Sequence, residues 1–141
     1  MTSAIMPFHL AIPVNCLTQA RQFYGTVLAC EQGRSSQQWV DWNFFGHQLV
    51  THLVETMPPS VNPNTVDNKS VPVPHFGVVL AKSDWEATAQ KLQQHNIDFV
   101  IAPYIRFKGK AGEQGTFFIY DPAGNALEFK YFNNMDSLFA Q

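Results

Sequence analysis

The apolar positions of this chain change spacing several times, and each change marks an element. Residues 8–14, FHLAIPV, form a short apolar run that reads as a strand, with Asn15 as a turn or cap. Over 17–28 the spacing lengthens: Leu17, Ala20, Phe23, Tyr24, Val27 and Leu28 recur at the period of an amphipathic helix. Residues 39–45 and 48–54 are rich in strand formers, and Gly46-His47 between them reads as a hairpin turn. Residues 55–73 break the pattern. They hold four of the nine prolines with several Asn and Ser, as expected of an exposed linker.

The pattern then restarts. Residues 75–81 read as a strand, and Ser83 with Glu86 predicts a capping box that opens a helix over about 84–95. A long strand over 98–107, interrupted by Pro103, leads to a Gly- and Lys-rich hairpin loop over 108–115 and a strand over 116–120. The stretch DPAGN, 121–125, is a strong turn signal, 126–132 form the last strand, and the tail predicts a short helix at about 134–139. The order is β-α-β-β-β, linker, β-α-β-β-β. A shift of 66 residues sets His9 on His75, each at the head of a strand followed by a helix of similar length. This predicts an α+β fold of two tandem βαβββ modules in one domain spanning 1–141: module one at about 5–54, the linker at 55–73, module two at 74–132 and a tail at 133–141. Their strands would form a curved mixed sheet around a cleft. The alternative is a single α+β sheet whose halves are alike by chance.

Composition then narrows the function classes. Hydrophobic residues make up 45% and charged residues 14%, enough for a core and too little charge for a disordered chain. The net charge of −2 and the scattered Lys and Arg argue against a nucleic-acid or membrane-surface partner. No apolar stretch is long enough to span a bilayer. Cys16 and Cys30 form no CxxC pair, which argues against a zinc knuckle or a thioredoxin-type site and does not require a disulfide. The first residues lack the basic-then-apolar pattern of a secretion signal, so a cytoplasmic protein with reduced thiols is expected.

The candidate chemistry comes from alternation within strands. In GNALEFKYF, 124–132, Leu127, Phe129 and Tyr131 share one face, while Ala126, Glu128 and Lys130 share the other. The apolar set belongs to the core, so Glu128 looks toward something polar, such as the inside of a cleft. His9 shares a face with Ala11 and Pro13, and His75 with Gly77 and Val79, so small neighbours leave room around each imidazole. His9, His75 and Glu128 would make a 2-His-1-carboxylate set, which suits Fe(II) and related metals that keep open positions. The other reading of these residues is two satisfied strand-end histidines and an edge carboxylate.

Around them stand further candidates. Tyr120 ends a strand and could donate a hydrogen bond at the site, or pack with a wet hydroxyl. Arg106 faces the same way as Tyr104; it could bind an anionic substrate, or pair with Glu113 across the hairpin. Trp39, Trp42, Phe44 and Phe45 could line an aromatic pocket or belong to the core. His47 and His95 read as structural or exposed.

The duplicated pattern, the strands FHLAIPV and HFGVVL, and the stretch FFIYDPAGNALEFKYF resemble the vicinal oxygen chelate superfamily. That group includes glyoxalase I, fosfomycin- and bleomycin-resistance proteins, and extradiol ring-cleaving dioxygenases. The resemblance covers nearly the entire chain, and D-P-x-G-N-x-L-E-F is its most specific part. GRSSQQWVDWNFFGHQLVTHLV and RFKGKAGEQGTFFIYDPAGNALEFK are similar to small bacterial proteins described as extradiol-type dioxygenases. The resemblance implies metal ligands at His9, His75 and Glu128, a small-molecule substrate with vicinal oxygens, and a homodimer. It implies a divalent metal, Fe(II) first, with Mn(II), Zn(II) or Ni(II) as alternatives. A fourth ligand, where members have one, would stand at Val50, because Val50 follows Gly46 as Glu128 follows Gly124. Valine cannot ligate, so the chain is closer to three-ligand members, and Val50 becomes a position that substrate approaches. His52 lies two residues on, on the same face, where it would serve as an acid/base or as a structural polar group. The expected activity is an oxidoreductase of the extradiol type. The alternatives are a glyoxalase-like isomerase or lyase, a fosfomycin-type transferase, or a non-catalytic antibiotic-binding protein.

Overall fold

The first apolar run becomes β1 (His9–Val14) in the computed structural model, which describes residues 4–59 and 63–141. The chain divides into two units, Met1–Pro58 and Pro59–Gln141.

In the first unit β1 is followed by α1 (Leu17–Ala20), which continues as a wider π-helical stretch, Arg21–Val27. The widening is visible in the bond from Leu28 N–H to the Phe23 carbonyl, 2.9 Å, which skips one residue more than an α-helix does. Three strands follow: β2 (Glu31–Ser35), β3 (Trp39–Phe44) and β4 (His47–Leu53). They form a four-stranded sheet in the order β1-β4-β3-β2, with β1 parallel to β4 and the other pairs antiparallel. Ala20, Phe23, Tyr24 and Val27 of the helix are buried, as are Val40, Trp42, Phe44 and Leu49 of the strands. Two expectations change here. Every residue of β2 is exposed and its run, EQGRS, has no apolar alternation, which is why periodicity does not reveal it. The hairpin turn is Phe45-Gly46, both at positive φ, and His47 already belongs to β4.

The expected linker contains structure of its own. Strands β5 (Asn64–Val66) and β6 (Lys69–Val71) form a hairpin whose turn residues, Asp67 and Asn68, both have positive φ. Val71 is buried against Ile101 and Phe118, with Val100 and Tyr104 packed beside them. Residues 60–62 of the expected linker lie outside the described residues.

The second unit repeats the first with β7 (Phe76–Leu80), α2 (Lys82–Gln94), β8 (Phe99–Arg106), β9 (Gln114–Tyr120) and β10 (Ala126–Phe132). The sheet order is β7-β10-β9-β8, again with only the first pair parallel. The mixed α+β duplication is therefore present, as two separate four-stranded ladders. Trp85 and Leu92 of α2 are buried with Phe117, Ile119, Leu127, Phe129 and Tyr131. Trp85 donates its ring N–H to the Phe129 carbonyl at 2.9 Å, so even the indole nitrogen is satisfied inside this core. Gly115 leaves the space that the Tyr131 ring fills: a Cβ there would lie 2.2 Å from it. The helix begins earlier than the capping box predicts. Ala81 is the cap and Ser83 sits in the first turn, where Asp84 supplies the favourable negative charge. The tail forms one short 3-10 turn, Met135–Ser137, capped by the Asn134 side chain.

The strand registers carry the duplication down to single residues. Ala11 pairs with Val50 and Pro13 with His52; 66 residues on, Gly77 pairs with Glu128 and Val79 with Lys130. Val50 thus holds in the first sheet the place of Glu128 in the second, and His52 that of Lys130.

Candidate metal centre

The turn DPAGN sets the start of β10. The Asp121 carboxylate accepts from the backbone N–H groups of Ala123 and Asn125 at 3.0 and 2.8 Å, and Gly124 takes the positive φ of 96° that closes the turn. From that start Leu127, Phe129 and Tyr131 enter the core, and Glu128 stands on the opposite face. Gly77 is its neighbour on β7. A Cβ at Gly77 would fall on the Glu128 carbonyl, so the absence of a side chain there lets the two backbones meet.

His75, just before β7, brings its Nε2 to 3.2 Å from Glu128 Oε1. Its other ring nitrogen, Nδ1, lies 2.7 Å from the Pro72 carbonyl, which can only accept, so Nδ1 carries a proton. Phe118 holds the ring edge-on at 5.0 Å. The second carboxylate oxygen, Oε2, accepts from the Thr116 hydroxyl at 2.5 Å. One ring nitrogen and one carboxylate oxygen are left converging on each other. The hydrogen bond to Glu128 raises the His75 pKa above its ordinary value despite burial, and the Pro72 carbonyl adds to it. Burial pushes the Glu128 carboxyl up, but the hydrogen bonds from His75 and Thr116 outweigh it, and the net shift is downward. Both shifts favour the charged form of the group concerned.

The pair fits a metal. Ligand atoms about 2.1 Å from one ion stand roughly 3.0 Å apart at 90° and roughly 3.4 Å apart at the tetrahedral angle. The observed 3.2 Å lies between. The Nδ1-to-carbonyl and hydroxyl-to-carboxylate bonds are the outer contacts that orient ligands of this kind. Among the described residues of the second unit, no third His, Cys, Asp or Glu joins the pair.

His9 belongs to the first unit and is held in the same manner. Its Nδ1 lies 2.9 Å from the side-chain oxygen of Gln48, its register partner on β4, which leaves Nε2 for another ligand. Gln48 and Thr116 escape a reading that looks only for ligands; their signal is that each is a polar residue facing the ligand side of its strand. His47 accepts the Phe8 backbone N–H through Nδ1 at 2.9 Å, a structural role, and His95 caps the C-terminus of α2.

The remaining candidates divide by face. Tyr120 pairs with Ala126 and so shares the Glu128 face, with its side chain exposed. Val50 and His52 share a face of β4 with Gln48. Trp42 and Phe44 lie on the other face of that sheet. Trp42 is 3% exposed, donates to the Thr51 hydroxyl at 3.1 Å and packs beside Tyr24, so both rings serve the first unit's core and are not carried into the site. Arg106 does not pair with Glu113. Its Nε lies 2.6 Å from Asp67 of the β5–β6 turn, while Glu113 accepts from the Tyr131 hydroxyl and the Gly109 N–H. Asp67 also accepts from Tyr104 at 3.1 Å; burial first, then this bond, raises the Tyr104 pKa, so its hydroxyl stays protonated. Neither Cys16 nor Cys30 forms a disulfide among the described residues.

The family model of the glyoxalase/bleomycin resistance protein/dioxygenase superfamily matches residues 7–129. The chain belongs to this superfamily. Among solved structures it is similar to a glyoxalase/bleomycin resistance protein/dioxygenase from Alicyclobacillus acidocaldarius, with 34% identity, a TM-score of 0.79 and coverage of 94% of this chain and 96% of that one. The fosfomycin resistance protein FosX from Listeria monocytogenes aligns at 12% identity and a TM-score of 0.69, covering 97% of this chain and 98% of that one. Lactoylglutathione lyase from Agrobacterium tumefaciens aligns at 19% identity and a TM-score of 0.61, covering 99% of this chain and 98% of that one. At those identities the last two show the shared superfamily fold. No curated protein matches the chain. No helix among the described residues is long and apolar enough to cross a membrane.

Proposed function

We propose that this superfamily member is a metal-dependent enzyme that acts on a small molecule with two adjacent oxygens, with extradiol-type oxygenation of a catechol-like compound as its reaction. The observation that carries the reading is the pair His75 and Glu128, whose free donor atoms converge at 3.2 Å while their other atoms are held by Pro72 and Thr116. His9, the duplicate of His75, is the third proposed ligand. A divalent metal there, Fe(II) in this reading, would act as a Lewis acid toward the substrate oxygens and leave positions open.

The chain's own residues do the rest. The Pro72 carbonyl and the Gln48 amide hold the two imidazoles by Nδ1, so that Nε2 is the ligating atom in each. Thr116 fixes the rotation of the Glu128 carboxylate. Val50 keeps the place of a fourth ligand apolar. Tyr120 and His52 are the groups proposed to move protons, and Arg106 is proposed to meet an anionic part of the substrate once Asp67 yields it. A homodimer in the cytoplasm belongs to the same reading.

The test is oxygen uptake with a panel of catechols after anaerobic loading with Fe(II). Uptake with at least one of them, lost in Glu128→Ala, is expected. No uptake with any catechol by protein that retains iron would overturn the dioxygenase step.

A further inference from the structure

The β5–β6 hairpin lies on the same face of the second sheet as Glu128. On that face Phe118 pairs with Glu128 and with Ile101; further along, Thr116 pairs with Tyr104 and Gln114 with Arg106. Alternate residues of the hairpin meet these side chains in turn. Asp67 Oδ2 accepts from Arg106 Nε at 2.6 Å and from the Tyr104 hydroxyl at 3.1 Å. Lys69 sets its Nζ 4.7 Å over the Tyr104 ring, and Val71 is buried against Ile101 and Phe118. The next residue is Pro72, whose carbonyl lies 2.7 Å from His75 Nδ1. Phe118 is shared by the two: Val71 packs on it, and the His75 ring stands edge-on to it.

Two strands of three residues do not persist as a free hairpin, and every residue of β5 is exposed. The hairpin is therefore held by the contacts of Asp67, Lys69 and Val71, and an element held by so few contacts opens locally more readily than the core. Asp67 does more than form the turn. Asp and Asn both suit its positive φ of 50°, but only the carboxylate gives Arg106 a counter-charge. Val71 and Pro72 are adjacent in the chain, so docking of the hairpin and the bond to His75 are a single peptide unit apart. Lifting the hairpin draws the Pro72 carbonyl away from Nδ1 and frees the ring that presents Nε2 to Glu128.

We infer that the β5–β6 hairpin is a positioning element for the metal centre, with Asp67 and Val71 as the positioning residues that hold the Pro72 carbonyl against His75. The inference rests on the reading of His75 and Glu128 as metal ligands and adds a movable support to it. Such a coupling is reciprocal: if docking of the hairpin strengthens metal binding, metal binding tightens the hairpin by the same factor. Residues 64–71 would then respond to a metal that none of them ligates.

The test uses the full chain with Co(II) as the probe metal, bound by titration and followed by visible absorption. Amide hydrogen exchange over residues 64–71 is measured with and without Co(II). In wild type, saturating Co(II) should slow that exchange about fivefold or more. Asp67→Asn keeps the turn and removes the charge, and should weaken Co(II) binding about two- to fivefold. Asp67→Asn combined with Val71→Ala should weaken it about tenfold or more. In the metal-free double variant, the His75 Nδ1–H resonance, assigned by its absence in His75→Gln, should exchange with water faster than in wild type. A merely structural hairpin would loosen in the double variant and leave both Co(II) affinity and that resonance unchanged. That result, or hairpin exchange in wild type that ignores bound Co(II), would overturn this inference and leave the metal centre standing. Absence of Co(II) uptake by folded wild type would overturn both.

Discussion

In the first unit the register sets Ala11 beside Val50 and Pro13 beside His52; in the second, the same places hold Gly77 beside Glu128 and Val79 beside Lys130. The backbone pattern is the same and the chemistry is not. On the core face the two copies are alike in kind: a buried tryptophan, Trp42 or Trp85, lies among apolar strand residues and donates its ring N–H to an oxygen of its own unit. On the other face they diverge. The first copy offers His9 with a glutamine behind it; the second offers His75 with a carboxylate in front and a carbonyl behind. The helix-packed face repeats the same kind of apolar set in both copies, whereas the other face holds a buried valine, Val50, in one and the carboxylate of Glu128 at the same place in the other.

The largest stability effect that separates the copies should come at the strand pair itself. Gly77→Ala places a Cβ 1.5 Å from the Glu128 carbonyl, where backbone must move. It should cost about 1–3 kcal/mol, read as a lower urea midpoint. Its counterpart Ala11→Gly should cost only about 0.5–1 kcal/mol, because no backbone contact depends on it. Equal effects would mean that the close approach at Glu128 is not particular to the second copy.

Next comes the support of the carboxylate. Thr116→Val removes the hydroxyl that holds Glu128 Oε2 and should weaken metal binding about tenfold in a titration, without loss of the sheet by circular dichroism. Unchanged metal affinity would show that the threonine only fills space.

The pH response of metal-free protein sharpens the contrast in a graded way. His75 has its pKa raised, chiefly by Glu128, so the stability it contributes is complete below the ordinary histidine value and is lost as pH rises through the raised one. For Glu128, burial alone would raise the pKa, but the hydrogen bonds from His75 and Thr116 prevail and lower it. Its contribution is present above the ordinary carboxylate value and is lost as pH falls through the lowered one. Tm should therefore be highest between the two limits. His75→Gln should remove the fall on the alkaline side; a fall that persists there belongs to another group.

The smallest effect should come from the hairpin. Asp67 and Arg106 are both partly exposed, so Asp67→Asn should cost only about 0.2–1 kcal/mol, less at high salt. A larger loss would mean that the β5–β6 hairpin anchors the second sheet more firmly than its ion pair suggests.

Much of this was legible from the chain. Period-two alternation put Glu128 and Lys130 on one face of their strand, and counting from Gly46 and Gly124 gave Val50 the place in its sheet that Glu128 has in the other, as the registers confirm. The strands without a buried stripe were not legible: β2 is exposed throughout, and β5 and β6 are three residues each. The hairpin had a signal, Asp67-Asn68 between Val66 and Lys69 in an alternating run, but the prolines around it outweighed it. The Asp67 partner of Arg106 was not legible for the same reason, since it sits on that hairpin; of the two alternatives open in the sequence, the pair with Glu113 is not formed. Trp42 and Phe44 could not be assigned to a face until the register was known, because an aromatic residue serves a core or a pocket equally well.

The most direct test of the central proposal, that His75 and Glu128, with His9 as the third ligand, hold a divalent metal, is metal content by elemental analysis of protein purified without chelator. Wild type and Val50→Thr are predicted to retain the same metal in the same amount, while His75→Ala and Glu128→Ala, shown to be folded by circular dichroism, lose it. The same metal content in all four proteins would contradict the account.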